Sequence, residues 1–181
     1  MKIIVLPIGK IDEKVLKTIQ DSLPKVFFGS LCTISKSSLP VPKDAYNAIR
    51  RQYDSTRILY EVLRFAETTK IPSGTDDRIL GVADMDLYVH GLNFVFGEAQ
   101  CPGKIAVISL CRLRSEFYGT PKDEKLFLER AAKEAVHELG HTLGLRHCDE
   151  PLCVMHFSLH IGMTDEKRAE FCISCKKKIE S

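Results

Sequence analysis

Residues 137–147 read His-Glu-Leu-Gly-His-Thr-Leu-Gly-Leu-Arg-His, and this stretch decides both the fold and the chemistry of the chain. On a helix, His137 and His141 lie one turn apart along the axis and about 40° apart around it, so both imidazoles can reach the same metal ion. Glu138 lies beside that ion rather than on it, where a carboxylate can act as a general base.

A third histidine follows the helical part of this motif. Gly144 can end the helix in a left-handed conformation that a side chain would penalise, so the chain can turn back and bring in His147. Three neutral imidazoles leave the fourth position of a zinc ion open for water, which is typical of a catalytic rather than a structural zinc site. The alternative is an amphipathic helix whose polar residues face solvent by chance. Five positions occupied by fixed residue types at set spacing would arise by chance in about one of 10⁵ such chains at average residue frequencies.

Composition excludes several other classes of protein. The chain has 181 residues, of which 44% are hydrophobic and 28% charged, as in an ordinary globular protein of one domain. The net charge of +2 gives no argument for binding nucleic acid or an anionic membrane. Residues 1–9 are too short for the core of a signal peptide, and no apolar run could span a bilayer. We therefore expect a cytoplasmic protein, in which clustered cysteines indicate metal rather than disulfides.

Runs of apolar residues predict five strands. They lie over residues 3–8, 26–35, 78–89, 94–99 and 104–111. The last two are joined by a Cys-Pro-Gly segment and should form a hairpin that leaves one strand at the edge of a sheet. An exposed edge beside a metal site is where an extended peptide could pair by β-augmentation.

Three helices are predicted from apolar residues that recur on one helical face. The first covers residues 12–23 with Asp12 as its N-cap, and the second begins near residue 54. The third has Thr120 as its N-cap and Pro121 at its first helical position, and it runs into the histidine motif. The alternation of strands and helices predicts an α/β sheet.

A second metal site is predicted from cysteine spacing. Four cysteines in two close pairs follow the third histidine: Cys148, Cys153, Cys172 and Cys175. Their arrangement matches the knuckles of a structural zinc site. The alternatives are buried core thiols or a redox dithiol at the second pair. The remaining cysteines are expected to be buried and inert: Cys32, Cys101 and Cys111.

Several further residues have two possible interpretations. Met155 lies eight residues beyond the third histidine and fits the methionine turn that forms an apolar floor under a catalytic zinc without binding it. His156 and His160 could be additional ligands or substrate contacts, or satisfied histidines without a role at the site. Asp84 and Asp86 could bind a metal, or they could cap a strand end by accepting backbone hydrogen bonds.

Together these residues resemble the archaemetzincins, a branch of the metzincin zinc metalloproteases. The resemblance is carried by His137-Glu138-x-x-His141-x-x-Gly144-x-x-His147-Cys148, Cys153-x-Met155 and Cys172-x-x-Cys175. It implies an α/β (α+β) fold with a twisted, mixed, five-stranded sheet, an antiparallel edge strand above the cleft and long helices. It also implies a lobe of residues 1–144 that carries the active-site helix, and a small zinc-stabilised lobe of residues 145–181.

The resemblance and the motifs predict a zinc-dependent peptidase with two zinc ions per chain, one catalytic at the three histidines and one structural at the four cysteines. Glu138 would take a proton from the zinc-bound water, which then attacks a peptide carbonyl. The alternative is a peptide-binding protein that retains the cleft without useful catalysis. A purely structural zinc protein would leave Glu138 without a role.

The expected partner is a peptide or protein substrate. The resemblance implies that the edge strand Phe94 to Glu98 lines the cleft, and the substrate could pair with this strand. Neither nucleic acid nor a membrane is expected as a partner, and the chain is expected to be a monomer.

Overall fold

The structure is a computed structural model, and it describes residues 1–69, 74 and 76–180. In chain order, the strands are β1 Lys2–Ile8, β2 Leu31–Ile34, β3 Tyr46–Asn47, β4 Gln52–Asp54, β5 Arg78–Ala83, β6 Leu87–Tyr88, β7 Gly97–Ala99 and β8 Ile105–Ser109. Five of them form one sheet in the order β2-β1-β5-β8-β7, in which β7 is antiparallel to β8 and the other neighbours are parallel. The strands β3, β4 and β6 form a second, smaller sheet. The mixed five-stranded sheet and its antiparallel edge strand confirm the predicted fold class.

The large sheet is buried on both faces. In β1, Ile3 and Val5 belong to one hydrophobic core, and Ile4 and Leu6 belong to the other, because successive side chains of a strand point to opposite faces. Two helical layers are therefore needed to cover the sheet, as in other α/β proteins.

Five helices are described: α1 Glu13–Val26, α2 Ser55–Thr68, α3 Glu124–Thr142, α4 Ile161–Glu166 and α5 Ile173–Glu180. Residues of α1 and α3 share one core, and residues of α2 line the other. Asp12 and Asp54 cap α1 and α2, as their side chains accept hydrogen bonds from the backbone of Lys14 and Arg57. Within the described part of the chain, no helix combines the length and the apolar character that crossing a bilayer requires.

The strand predicted over residues 26–35 is wrong in its first half. Helix α1 continues through Pro24 to Val26, and the strand covers Leu31–Ile34. Burial explains the difference: Leu23 and Phe27 are both buried in the core that α1 shares with α3, and the Phe27 amide still donates to the Leu23 carbonyl. Packing therefore overrides the cost of a proline inside the helix.

Other predicted boundaries were also too wide or misplaced. The strand predicted over residues 78–89 ends at Ala83, and β6 belongs to the second sheet. The strand predicted over residues 94–99 is reduced to Gly97–Ala99, and the strand predicted over residues 104–111 to Ile105–Ser109. Isolated hydrogen bonds replace regular pairing in part of the excluded residues; the Val95 amide, for example, donates to the carbonyl of Leu87 in the second sheet.

The start of α3 also differs from the prediction. Asp123, not Thr120, is the N-cap, and its carboxylate accepts a hydrogen bond from the Leu126 amide at 2.9 Å. The Thr120 hydroxyl instead donates to the Ser115 carbonyl at 2.8 Å and closes the preceding turn. Both residue types are good N-caps, so the sequence alone does not separate them.

Candidate metal centre

Helix α3 carries the first part of the histidine motif against the sheet. Small residues on α3, among them Ala131 and Ala135, are fully buried and let the helix backbone lie close to the strands. His137 and Glu138 are buried as well. A buried, closely packed helix fixes the directions of these two side chains, which a metal site requires.

The end of α3 explains how the chain turns back toward the helix. Gly144 has a φ of +87°, its amide donates to the His141 carbonyl, and the Leu145 amide donates to the Gly140 carbonyl. This pair of bonds is a Schellman motif, in which a residue without a side chain takes the left-handed position. The Leu145 carbonyl then accepts a hydrogen bond from Nδ1 of His141 at 2.7 Å.

The three histidines of the motif converge on one point. Ligand nitrogens of His137, His141 and His147 all lie within 4.8 Å of one another. Nδ1 of His137 is 2.7 Å from the Val154 carbonyl, and Nδ1 of His141 is 2.7 Å from the Leu145 carbonyl. Because a carbonyl can only accept, each Nδ1 carries the proton and each Nε2 presents a lone pair.

Those two lone pairs indicate a cation. The Nε2 atoms of His137 and His141 are 3.2 Å apart, and two unprotonated nitrogens cannot form a hydrogen bond with each other. A tetrahedral zinc ion with Zn–N bonds of about 2.0–2.1 Å would place its nitrogen ligands about 3.3 Å apart. The donor set and its spacing therefore fit zinc.

Burial keeps these imidazoles neutral in the protein without metal. It lowers the pKa of His137 well below its usual value and also lowers the pKa of His141. Burial lowers the pKa of His147 to about 4, although this ring is more exposed than the other two. Neutral imidazole is the form that binds metal.

Glu138 is placed beside the three rings by the edge strand. A Cβ atom added to Gly97 of β7 would lie 2.6 Å from Cγ and 2.7 Å from Oε1 of Glu138, so the carboxylate occupies space that any other residue would fill. Burial, reinforced by the carboxylate of Glu134, raises the pKa of Glu138 well above its usual value in the protein without metal. Glycine inside a strand often marks such a close approach, and that signal in the sequence was missed.

The four cysteines form a second cluster. Ligand sulfurs of Cys148, Cys153, Cys172 and Cys175 lie within 4.8 Å of one another. Sγ of Cys148 is 3.8 Å from Sγ of Cys172, and a tetrahedral zinc ion with Zn–S bonds of about 2.3 Å would set its sulfurs about 3.8 Å apart. Burial opposes ionisation, but hydrogen bonds from the Cys175 backbone and the other thiols lower the pKa of Cys172 to about 7. This cluster also fits zinc.

Met155 and His156 lie between the two clusters. Met155 is fully buried, and its sulfur would be 2.5 Å from a Cβ atom on Gly140, directly under the helix that carries the histidines. Nδ1 of His156 is 2.8 Å from the Cys148 carbonyl. His156 therefore contacts the backbone next to the third histidine, while His160 is the residue before α4 and makes no capping hydrogen bond with its side chain.

A cleft of about 540 Å³ opens over the three imidazoles. Phe94, Glu98 and Phe157 line the cleft together with residues of the edge strand. Glu134 and Lys167 also reach the cleft, where Nζ of Lys167 is 3.5 Å from Oε1 of Glu134. No sequence motif indicated this buried ion pair or the position of Phe157.

The remaining candidate residues lie outside the two clusters. Asp84 accepts two hydrogen bonds from the guanidinium group of Arg114. Asp86 accepts two from that of Arg112 and one from the side-chain amide of Gln52, so side chains rather than backbone amides are their partners. Of the other thiols, Cys32 is buried as expected. Cys101 is exposed and Cys111 half-buried, which corrects the prediction for both.

Comparisons with known proteins agree with this geometry. The model of peptidase family M54 matches residues 8–181. An archaemetzincin from Methanocaldococcus jannaschii is 42% identical over 180 residues, covering 99% of this chain and 93% of that protein. The crystal structure of an archaemetzincin from Archaeoglobus fulgidus, complexed with malonate, is 39% identical with a TM-score of 0.80 and covers 98% of this chain and 99% of that one. A zinc-dependent peptidase from Methanocorpusculum labreanum is 28% identical with a TM-score of 0.88, at 98% and 99% coverage.

Proposed function

Because this chain belongs to peptidase family M54 and is a zinc metalloprotease, we propose that it hydrolyses peptide bonds with Glu138 as the general base. His137, His141 and His147 would hold the catalytic zinc. The observation that carries the proposal is the convergence of three neutral imidazoles beside a buried carboxylate at the bottom of an open cleft. A site that served only to stabilise the fold would have no use for Glu138.

The chain's own residues account for the proton transfers. When bound, zinc supplies a Lewis acid that acidifies water and polarises the peptide carbonyl. Glu138 accepts the proton of the attacking water and passes it to the leaving nitrogen. Its buried position and the nearby Glu134 carboxylate make Glu138 a better proton acceptor than an ordinary carboxylate. Because Gly97 has no side chain, Oε1 of Glu138 can lie against the edge strand.

The substrate is proposed to bind as an extended strand along β7. Within the described residues β7 pairs with β8 on one side, which leaves its other side available for a peptide in the cleft. Glu98 connects β7, which forms the rim of the cleft, to the start of α2, because its carboxylate accepts hydrogen bonds from the hydroxyls of Ser55 and Thr56. The rim is therefore held in place before a substrate arrives. We propose that a single chain is sufficient for this reaction.

We also propose a second, structural zinc at the four cysteines, which organises residues 145–181 as a small lobe. Met155 would form the apolar floor of the catalytic site, since it is buried under Gly140 between the two clusters. The Cys148 amide donates to the Met155 carbonyl at 3.0 Å, so the floor and the sulfur cluster are directly connected. A structural zinc contributes folding energy to such a short segment.

The proposal is tested with Glu138→Gln. This variant keeps the shape of the side chain, so it should retain zinc at wild-type stoichiometry, while kcat on a peptide library falls at least about 100-fold because the base is lost. Glu129→Gln on the exposed side of the same helix is the control and should keep full turnover. Near wild-type kcat in Glu138→Gln would refute the assigned base, and no turnover in the wild-type protein would favour a peptide-binding role.

A further inference from the structure

The third histidine is held differently from the other two. Nδ1 of His137 and Nδ1 of His141 each lie 2.7 Å from a backbone carbonyl. Among the residues that the structure describes, the His147 ring makes no hydrogen bond, and its neighbours are other rings. It is also the most exposed ring of the three. Something other than a hydrogen bond must therefore limit its rotation.

Phe157 is the neighbour that can do so. Its ring centroid is 4.8 Å from that of His147, with an angle of 49° between the planes. The other two contacts of His147 are with His137 and His141, which converge with it on the same point and cannot hold it from outside. Phe157 is 39% exposed on the cleft side, so its position is not explained by burial in the core.

The backbone before Phe157 is firmly fixed. The His156 ring is bonded to the Cys148 carbonyl, and the Cys148 amide to the Met155 carbonyl. The His156 carbonyl accepts from Nζ of Lys167 at 3.1 Å. Since Lys167 also pairs with Glu134 of α3, the segment that ends at Phe157 is tied to the helix that carries the first two histidines.

We propose that Phe157 is a positioning residue for the third metal ligand: packing of its ring on His147 takes the place of the carbonyl hydrogen bond that orients His137 and His141. This inference rests on the proposed zinc site. Loss of the packing should leave His147 free to turn toward solvent, so that the site holds its metal with two firm ligands and one loose ligand.

The test is the zinc affinity of the histidine site in a graded series. In protein whose cysteine site is loaded, competition with a chromophoric chelator should show zinc affinity about 10-fold to 100-fold lower in Phe157→Ala, as for other residues that orient metal ligands. Phe157→Leu keeps part of the apolar contact and should fall between. Phe117→Ala, which removes an aromatic ring of similar exposure, at 43%, is the control and should leave the zinc affinity unchanged.

A double-mutant cycle separates positioning from a general effect on folding. In a His147→Asn background, Phe157→Ala should have no further effect on zinc affinity, because the ring that it positions is absent. An equal loss in both backgrounds, or no loss in the wild-type background, would overturn the inference. If instead the proposed zinc site were wrong, the His147→Asn variant would bind zinc as tightly as the wild-type protein does.

Discussion

At the scale of single residues, the candidate active site depends on two glycines as well as on its polar side chains. Gly97 has no Cβ, and that absence lets the Glu138 carboxylate lie against the edge strand. Gly140 likewise makes room for the sulfur of Met155. The histidine motif predicts the ligands directly, but these two close contacts join residues distant in sequence. They could be recognised only once the sheet and helix were placed together.

Replacing Gly97 by alanine should therefore reduce catalysis without removing the metal. The new methyl group would overlap Glu138 and also lie 2.6 Å from the Val107 carbonyl, so the Glu138 carboxylate would have to move. A displacement of about 1 Å can cost about 100-fold in rate. The measurement is kcat together with zinc content. Gly74→Ala, where the new atom meets ordinary contact distances, should retain activity; equal kcat in both variants would contradict this account of Gly97.

The same scale gives a pH dependence for the metal-free protein. Burial lowers the pKa of His137, His141 and His147, the last to about 4, whereas an unfolded imidazole titrates near about 6.5. Between these values the unfolded chain binds more protons than the folded one, so the free energy of unfolding rises with pH. Glu138 acts in the opposite direction because its pKa is raised, so the contribution of the imidazoles is measured by the change in slope when one of them is removed.

Urea unfolding of metal-free protein should therefore show lower stability at pH 5 than at pH 7. The comparison that isolates the imidazoles is His147→Asn, which should make the dependence shallower because one titrating ring is lost. A slope that does not change in this variant would show that the folded and unfolded states bind the His147 proton equally. Saturation with zinc should keep this difference, because the zinc-bound folded state carries no protons on these rings while the unfolded chain still binds them below about pH 6.5.

At the scale of elements, sequence patterns predicted which segments are helices and strands better than where they end. The buried stripe of α1, which includes Val15 and Ile19, is as predicted. Its C-terminal boundary is not, because burial of Phe27 in the core outweighs the signal of Pro24. The start of α3 was misplaced by three residues, since Thr120 and Asp123 are both good caps and the choice depends on the turn around Ser115. Such choices are made by contacts across the fold.

The segment after α3 links the two candidate metal clusters through neighbouring residues. His147 belongs to the histidine cluster and Cys148 to the sulfur cluster. Cys172→Ser should therefore lower the zinc affinity of the histidine site, by about 10-fold or more, although Cys172 contributes nothing to that site. Cys111→Ser, a half-buried thiol outside both clusters, serves as the control. Equal affinity in the two variants, measured by chelator competition, would show that the sites are independent.

At the scale of the whole molecule, the two metal sites should release their ions in order. The histidine site opens into the cleft, whereas Cys153 and Cys175 of the other site are buried. A chelator should first remove one zinc and abolish turnover, while circular dichroism changes little and the melting temperature falls less than on loss of the second, because the more weakly held ion stabilises the folded state less. Loss of the second zinc should lower the melting temperature, because a ligand bound to the folded state alone stabilises it. Simultaneous loss of both ions would contradict this order.

The members of both clusters could be predicted from the sequence because they lie at recognisable spacings within residues 137–175. The position of the rim of the cleft could not be predicted from the sequence. Its position depends on Glu98 reaching α2 and on Arg112 lying over the Phe94 ring, with the guanidinium carbon 4.3 Å from the ring centre. Both contacts connect segments that have no recognisable relation in sequence, so periodicity and motifs contain no information about them.

The order of ligands along the chain has a consequence for biosynthesis. A ribosome makes the two helical imidazoles first, then His147 and Cys148, and the last thiolate, Cys175, considerably later. The nascent chain therefore cannot complete its sulfur cluster until translation has passed Cys175. If that cluster orders the segment that carries His147, as the Cys172→Ser prediction tests, the histidine site is completed only after Cys175 has been synthesised.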